Sequence, residues 1–131
     1  MTKAARRIAF LDDSHTVRVV LKNVLTEAGH EPFGCETWDE LEQVVATTEL
    51  DLVLLDVQMP GISGPPIAYV LKKRHPTLKV VFVSDADETM LRRLTDETGA
   101  DGYIRKSYDG GEMADAIGRY LNDPPHDGES A

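Results

Sequence analysis

The sequence predicts an α/β domain, a parallel sheet with helices on both faces. Short apolar runs alternate with segments of helical spacing throughout the chain, giving five βα units. Four of the apolar runs finish in residues that can do chemistry: Asp12-Asp13, Asp56, Ser84 and Lys106. The length, 131 residues with a hydrophobic fraction of 41%, suits one domain around a single core.

Each element has its own signal. Ile8-Ala9-Phe10-Leu11 is the first strand and ends in Asp12-Asp13. Val17, Val20, Leu21, Val24, Leu25 and Ala28 then share one helical face, and Gly29 is a natural stop. Ser14 or Asp13 can cap that helix. Glu31-Pro32-Phe33-Gly34-Cys35 is a weak second strand. Thr37 and Glu40 form a capping box for a helix carrying Leu41, Val44 and Val45. Asp51-Leu52-Val53-Leu54-Leu55-Asp56 is the third strand, with a carboxylate at its C-terminal edge. Val57 to Gly64 reads as a loop by its Pro and Gly content. Pro65 and Pro66 fit the first turn of the next helix, where a missing N–H costs little. That helix runs through Ile67, Val70 and Leu71 to Arg74, and His75-Pro76 ends it. Val80-Val81-Phe82-Val83 leads to Ser84, and Asp87 to Thr98 is a helix stopped by Gly99. Tyr103-Ile104-Arg105 leads to Lys106. A last helix near Glu112 to Leu121 buries Met113, Ala116, Ile117 and Tyr120. The domain is therefore expected over residues 6–121, after an extension at 1–5 and before a polar, proline-bearing tail at 122–131 expected to be disordered.

If these strands are parallel neighbours, Asp12, Asp13, Asp56, Ser84 and Lys106 gather at one sheet edge, where open α/β sheets bind ligands. Three crowded carboxylates repel and call for a cation; Lys106 and a hard metal ion are the candidates. His15 follows the acidic pair but reads as a surface residue at a helix start, and Trp38 as packing.

Composition removes several functions. The net charge of −9 gives no overall attraction to nucleic acid or anionic lipid. No apolar run approaches the ~20 residues that span a bilayer. The first seven residues are basic but lack the apolar core of a signal peptide. The single cysteine, Cys35, excludes an internal disulfide and a cysteine-based zinc site, and reads as a small buried hydrophobe. A cytoplasmic location is expected.

The ordered conjunction of Asp12-Asp13, Asp56, Ser84 and Lys106, each after its strand, resembles the response-regulator receiver domain of bacterial two-component signalling. Asp56-Val57-Gln58-Met59-Pro60-Gly61 is similar to that family's phosphoacceptor loop. The resemblance covers residues 6–121 and looks most like the single-domain, chemotaxis-regulator type, although a piece of a longer regulator would read the same. It implies a flavodoxin-like doubly wound (βα)5 fold with strand order 2-1-3-4-5. It also implies a phosphoryl group taken from a phosphohistidine on a sensor histidine kinase or phosphotransfer protein.

By that resemblance Asp56 is the phosphoacceptor, and Mg2+ is held by Asp12, Asp13, Asp56 and the backbone carbonyl of Gln58. Lys106 pairs with Asp56 and then with the phosphoryl group. Ser84 and Tyr103 form the switch, moving the surface of the Glu88–Thr98 helix, the fifth strand and the last helix, which binds a downstream target protein. Monomer and phosphorylation-linked homodimer are both compatible. Such a domain is not an enzyme beyond its own phosphorylation and dephosphorylation.

Two residues depart from the family pattern. Ser107 stands where a proline with a cis bond is common, which predicts a trans bond, a looser Ser107–Gly111 loop or a displaced Lys106. Asp85 stands where a small residue is usual; it can hinder phosphate at the mouth or point to solvent. Gln58 and Asp85 are thus candidates for tuning the phosphoryl lifetime. A pseudo-receiver that binds partners without phosphorylation is the alternative reading. An aspartyl-phosphate phosphatase is a third, opposed by the lack of a substrate cap and a general acid in so compact a chain.

Overall fold

The computed structural model describes residues 5–59, 64–107 and 109–122. Five βα units follow one another. They are β1 (Arg7–Leu11) with α1 (His15–Glu27), and β2 (Glu31–Cys35) with α2 (Trp38–Thr47). Next come β3 (Leu52–Asp56) with α3 (Gly64–Arg74), and β4 (Lys79–Ser84) with α4 (Glu88–Thr98). The last unit is β5 (Gly102–Arg105) with α5 (Gly110–Asn122). All strand pairs are parallel, and the sheet order is β2-β1-β3-β4-β5, as the resemblance implied.

The near-continuous apolar strands are explained by burial on both faces. Ile8, Phe10, Leu52, Leu54, Val81 and Val83 pack against α1 and α5 through Leu21, Leu25, Met113 and Ile117. Their alternating neighbours Ala9, Leu11, Val53, Leu55, Val80 and Phe82 pack on the other face with Leu41, Ile67, Leu71 and Leu91. Each fully buried Leu, Ile or Phe contributes roughly 1.5–3 kcal/mol relative to an exposed one. Cys35 lies in the second cluster at 1% exposure, and burial, then Glu40, pushes its thiol up to about 11, so it stays neutral. Trp38 packs partly against the same cluster.

Local signals set the helix ends. Ser14 caps α1, Thr37 and Glu40 form the capping box of α2, and Asp87 caps α4. Gly99 ends α4 in the left-handed region at φ 80, which a side chain would strain. β2 tolerates Pro32 because it is an edge strand, paired to β1 alone. α5 starts two residues before the expected Glu112: Asp109 accepts from the Glu112 amide at 3.0 Å and draws Gly110 and Gly111 into the first turn. Tyr120, expected in the core, is only partly buried, and Leu121 takes that place. The expected tail from 123 onward and Pro60 to Ser63 of the phosphoacceptor-like loop lie outside the described residues. No helix among the described residues is long and apolar enough to cross a membrane.

Candidate functional site

Strand order brings the predicted residues together. Asp12 follows β1, Asp56 closes β3, Ser84 closes β4 and Lys106 follows β5, so their parallel C-terminal ends share one edge. Carboxylate oxygens of Asp12, Asp13 and Asp56 lie within 4.8 Å of one another. Asp12 and Asp56 are 2% and 6% exposed, whereas Asp13 faces solvent.

Lys106 answers the crowding. Its Nζ lies 3.1 Å from Asp12 Oδ2 and 3.4 Å from Asp56 Oδ1. The ammonium is therefore within ion-pair range of both buried carboxylates despite Ser107. No cis peptide bond occurs among the described residues, as expected without a proline at 107. The Lys106 amide donates to the Ser84 carbonyl at 3.0 Å, which fixes the base of its side chain.

Burial, then the Asp12 charge, raises the Asp56 pKa, opposed by Lys106 and the Gln58 amide. For Lys106 burial alone would lower the pKa, but the hydrogen bond and charge of Asp12, then Asp56, carry it upward. The Lys106 shift reports the two carboxylates beside it, and the Asp56 shift reports burial first and the Asp12 charge second.

Several backbone contacts shape the edge. The Ser14 amide donates to Asp12 Oδ1 at 2.9 Å, and the Gln58 amide to Asp56 Oδ1 at 3.4 Å. Gly64 starts α3 directly against the Asp56 carbonyl, and a side chain there would collide with it. Ser84 is buried at 4%, and its Oγ accepts from the Ala86 amide at 3.1 Å. Asp85 and Gln58 are exposed at the rim. Tyr103 lies one strand outward, half-buried, and its hydroxyl beside the Arg92 guanidinium raises the arginine's pKa. His15 is exposed and is not part of the acidic cluster.

One contact was not read from the sequence. Arg18 Nη1 donates to the Asp12 carbonyl at 2.8 Å. Its position on α1 four residues after Ser14 puts it over the helix start, but a lone helical arginine is no signal by itself.

A recess of about 700 Å³ at the opposite sheet edge is lined by Arg7, Glu31, Asp51, His75 and Leu78. Arg7 there pairs with Glu31 at 3.4 Å, and Asp51 accepts from the Arg7 amide at 2.8 Å. The unusual chemistry is at the acidic edge.

The family model of the response regulator receiver domain matches residues 8–118. The chain belongs to that family. This receiver domain is 28% identical over 115 residues to sporulation initiation phosphotransferase F of Bacillus subtilis (strain 168), covering 88% of this chain and 93% of that protein. It is 34% identical over 120 residues to the glycerol metabolism activator of Pseudomonas putida, covering 88% of this chain and 54% of that protein. It thus spans about half the length of the second relative. Among solved structures, response regulator TrrA of Thermotoga maritima, in complex with Mg2+-BeF, superposes with a TM-score of 0.77 at 30% identity. The match covers 88% of this chain and 98% of that one.

Proposed function

We propose that this receiver domain accepts a phosphoryl group on Asp56 and thereby switches a protein-binding surface. The observation that carries this is the buried Asp56 carboxylate, set among Asp12, Asp13 and Lys106 at one sheet edge. An Asp56 oxygen would attack phosphorus as the P–N bond of a donor phosphohistidine breaks, and the departing imidazole takes a proton from water. The donor would be a sensor histidine kinase or a phosphotransfer protein.

Three carboxylates within ligand range, two buried and one open to water, make an oxygen-only donor set that fits Mg2+. Asp12, Asp13, Asp56 and the Gln58 carbonyl would hold it. When bound, the ion neutralises charge on the phosphoryl oxygens. The TrrA relative, crystallised with Mg2+-BeF, supports this reading. Lys106, already 3.4 Å from Asp56, would follow the new charge to a phosphoryl oxygen. The Ser84 Oγ accepts from Ala86, which leaves its proton to donate to that group. Tyr103 would then leave Arg92 and turn inward, remodelling α4, β5 and α5, where a downstream target binds. The domain acts on no external substrate.

Intact-protein mass after incubation with Mg2+ and acetyl phosphate tests the reading, with Asp56→Asn as control. One added phosphoryl group on the wild type alone is expected. No gain on a protein that binds Mg2+ leaves a constitutive interaction domain or a site closed by Asp85, and a gain restored in Asp85→Ala separates the two. Asp85→Ala is expected to speed the reaction, because a rim carboxylate repels the donor.

A further inference from the structure

Asp13 is the least supported of the clustered acids. Asp12 is held by Lys106 and the Ser14 amide, and Asp56 by Lys106 and the Gln58 amide. Among the described residues no hydrogen bond or ion pair holds the Asp13 carboxylate, which is exposed. Its direction therefore depends on its backbone.

The peptide that carries it is fixed from outside. β1 ends at Leu11, and the Asp12 amide still donates to the Cys35 carbonyl at 3.2 Å. The Asp12 carbonyl, which begins the Asp12–Asp13 peptide, accepts from Arg18 Nη1 at 2.8 Å. The Arg18 side chain is 19% exposed, and its Nη2 lies 3.9 Å from Glu36 Oε1 after β2. A planar fork on a packed helix thus clasps the peptide plane between α1 and the β2–α2 loop.

We propose that Arg18 is a positioning residue for the metal site: by holding the Asp12 carbonyl it sets the plane from which Asp13 reaches a divalent cation. The inference rests on the metal-dependent reading given above. Position and charge predict opposite signs. Arg18 is a cation near a cation site, so if its charge alone mattered, removing it would tighten Mg2+ binding. If it positions Asp13, removing it weakens binding, by roughly 10- to 100-fold as is typical when a group orienting a metal ligand is lost.

Calorimetric titration of the full chain with Mg2+ alone decides between them, using wild type, Arg18→Met, Arg18→Lys, Asp13→Asn and the double variant Arg18→Met/Asp13→Asn. Arg18→Met is expected to bind roughly 10- to 100-fold more weakly than wild type. Arg18→Lys, which keeps the charge and loses the fork, is expected to recover only part. The double variant is expected to bind little worse than Asp13→Asn, because both changes act on one ligand. Thermal melts without Mg2+ establish folding. If Arg18→Met does not fold, Arg18→Lys must still bind more weakly than wild type. Binding by Arg18→Met as tight as or tighter than wild type overturns the inference, and so do additive losses in the double variant. If wild type itself does not bind Mg2+, the metal-dependent reading falls and takes this inference with it. If wild type binds and the Arg18 variants match it, this inference alone falls.

Discussion

At neutral pH the ionised Asp56 carboxylate is buried beside Asp12, and burial followed by the Asp12 charge raises its pKa above 3.8 despite Lys106. A carboxyl with a raised pKa in the folded state holds its proton more tightly there than in the unfolded chain. Its contribution to stability is full below about 3.8 and is lost as pH climbs through the folded value. Asp56→Asn removes the charge and keeps the shape, and Lys106 retains Asp12 at 3.1 Å. The variant is therefore expected to melt higher than wild type at neutral pH, by roughly 4 °C, or about 1 kcal/mol in a domain of this size. The gain should shrink as pH falls through the raised folded-state value toward 3.8. Circular dichroism melts at the two pH values check this. An equal or lower melting point at neutral pH would mean that Lys106 fully compensates the carboxylate.

At the scale of elements, the Tyr120 hydroxyl of α5 bonds the backbone of β5. The Tyr103 amide donates to Tyr120 Oη at 3.1 Å, and Tyr120 Oη donates to the Tyr103 carbonyl at 3.0 Å. These backbone groups belong to the sheet's edge strand, so α5 satisfies what a neighbouring strand otherwise would. Gly102 makes the approach possible, because any side chain there would collide with the Tyr120 ring. Gly102→Ala is expected to cost about 1–3 kcal/mol through overpacking. Tyr120→Phe should cost about 1 kcal/mol, since water reaches part of the edge. In a Tyr120→Ala background the Gly102→Ala penalty should largely vanish, which urea unfolding of the double-mutant set reads directly. Additive losses would mean the collision is not what Gly102 avoids. Such contacts explain what the sequence could not show. The strand and helix signals of Ile8–Leu11, Thr37–Glu40 and Gly99 are local and were legible from spacing and caps. The acid cluster was legible too, because Asp12 and Asp13 directly follow β1 and Asp56 closes β3. Tyr120 on Tyr103 and Arg18 on Asp12 depend on how α5 and α1 rest on the sheet, and apolar periodicity fixes a helix face without fixing which polar atom meets which. Gly110-Gly111 misled for a related reason: the Asp109 cap overrides glycine's reluctance to be helical.

Over the whole molecule the net charge is −9, and the acidic edge concentrates part of it. Any added salt will relieve general repulsion, so stabilisation by Mg2+ is not by itself a sign of a site. A bound ion acts differently from screening. It stabilises by mass action, about 2.7 kcal/mol when free Mg2+ stands at 100 times the dissociation constant. In a domain of this size that is a rise of roughly 10 °C in melting point. NaCl at matched ionic strength should give only the screening part. The difference between the salts should disappear in Asp13→Asn, which removes the exposed carboxylate proposed to hold the ion without disturbing the buried Lys106 pairs. It should survive in Glu49→Gln, which removes one negative charge from the opposite sheet edge. If the Glu49 and Asp13 variants lose the Mg2+ increment equally, the ion is answering the net charge of the domain. If only Asp13→Asn loses it, the ion is held where β1 and β3 end.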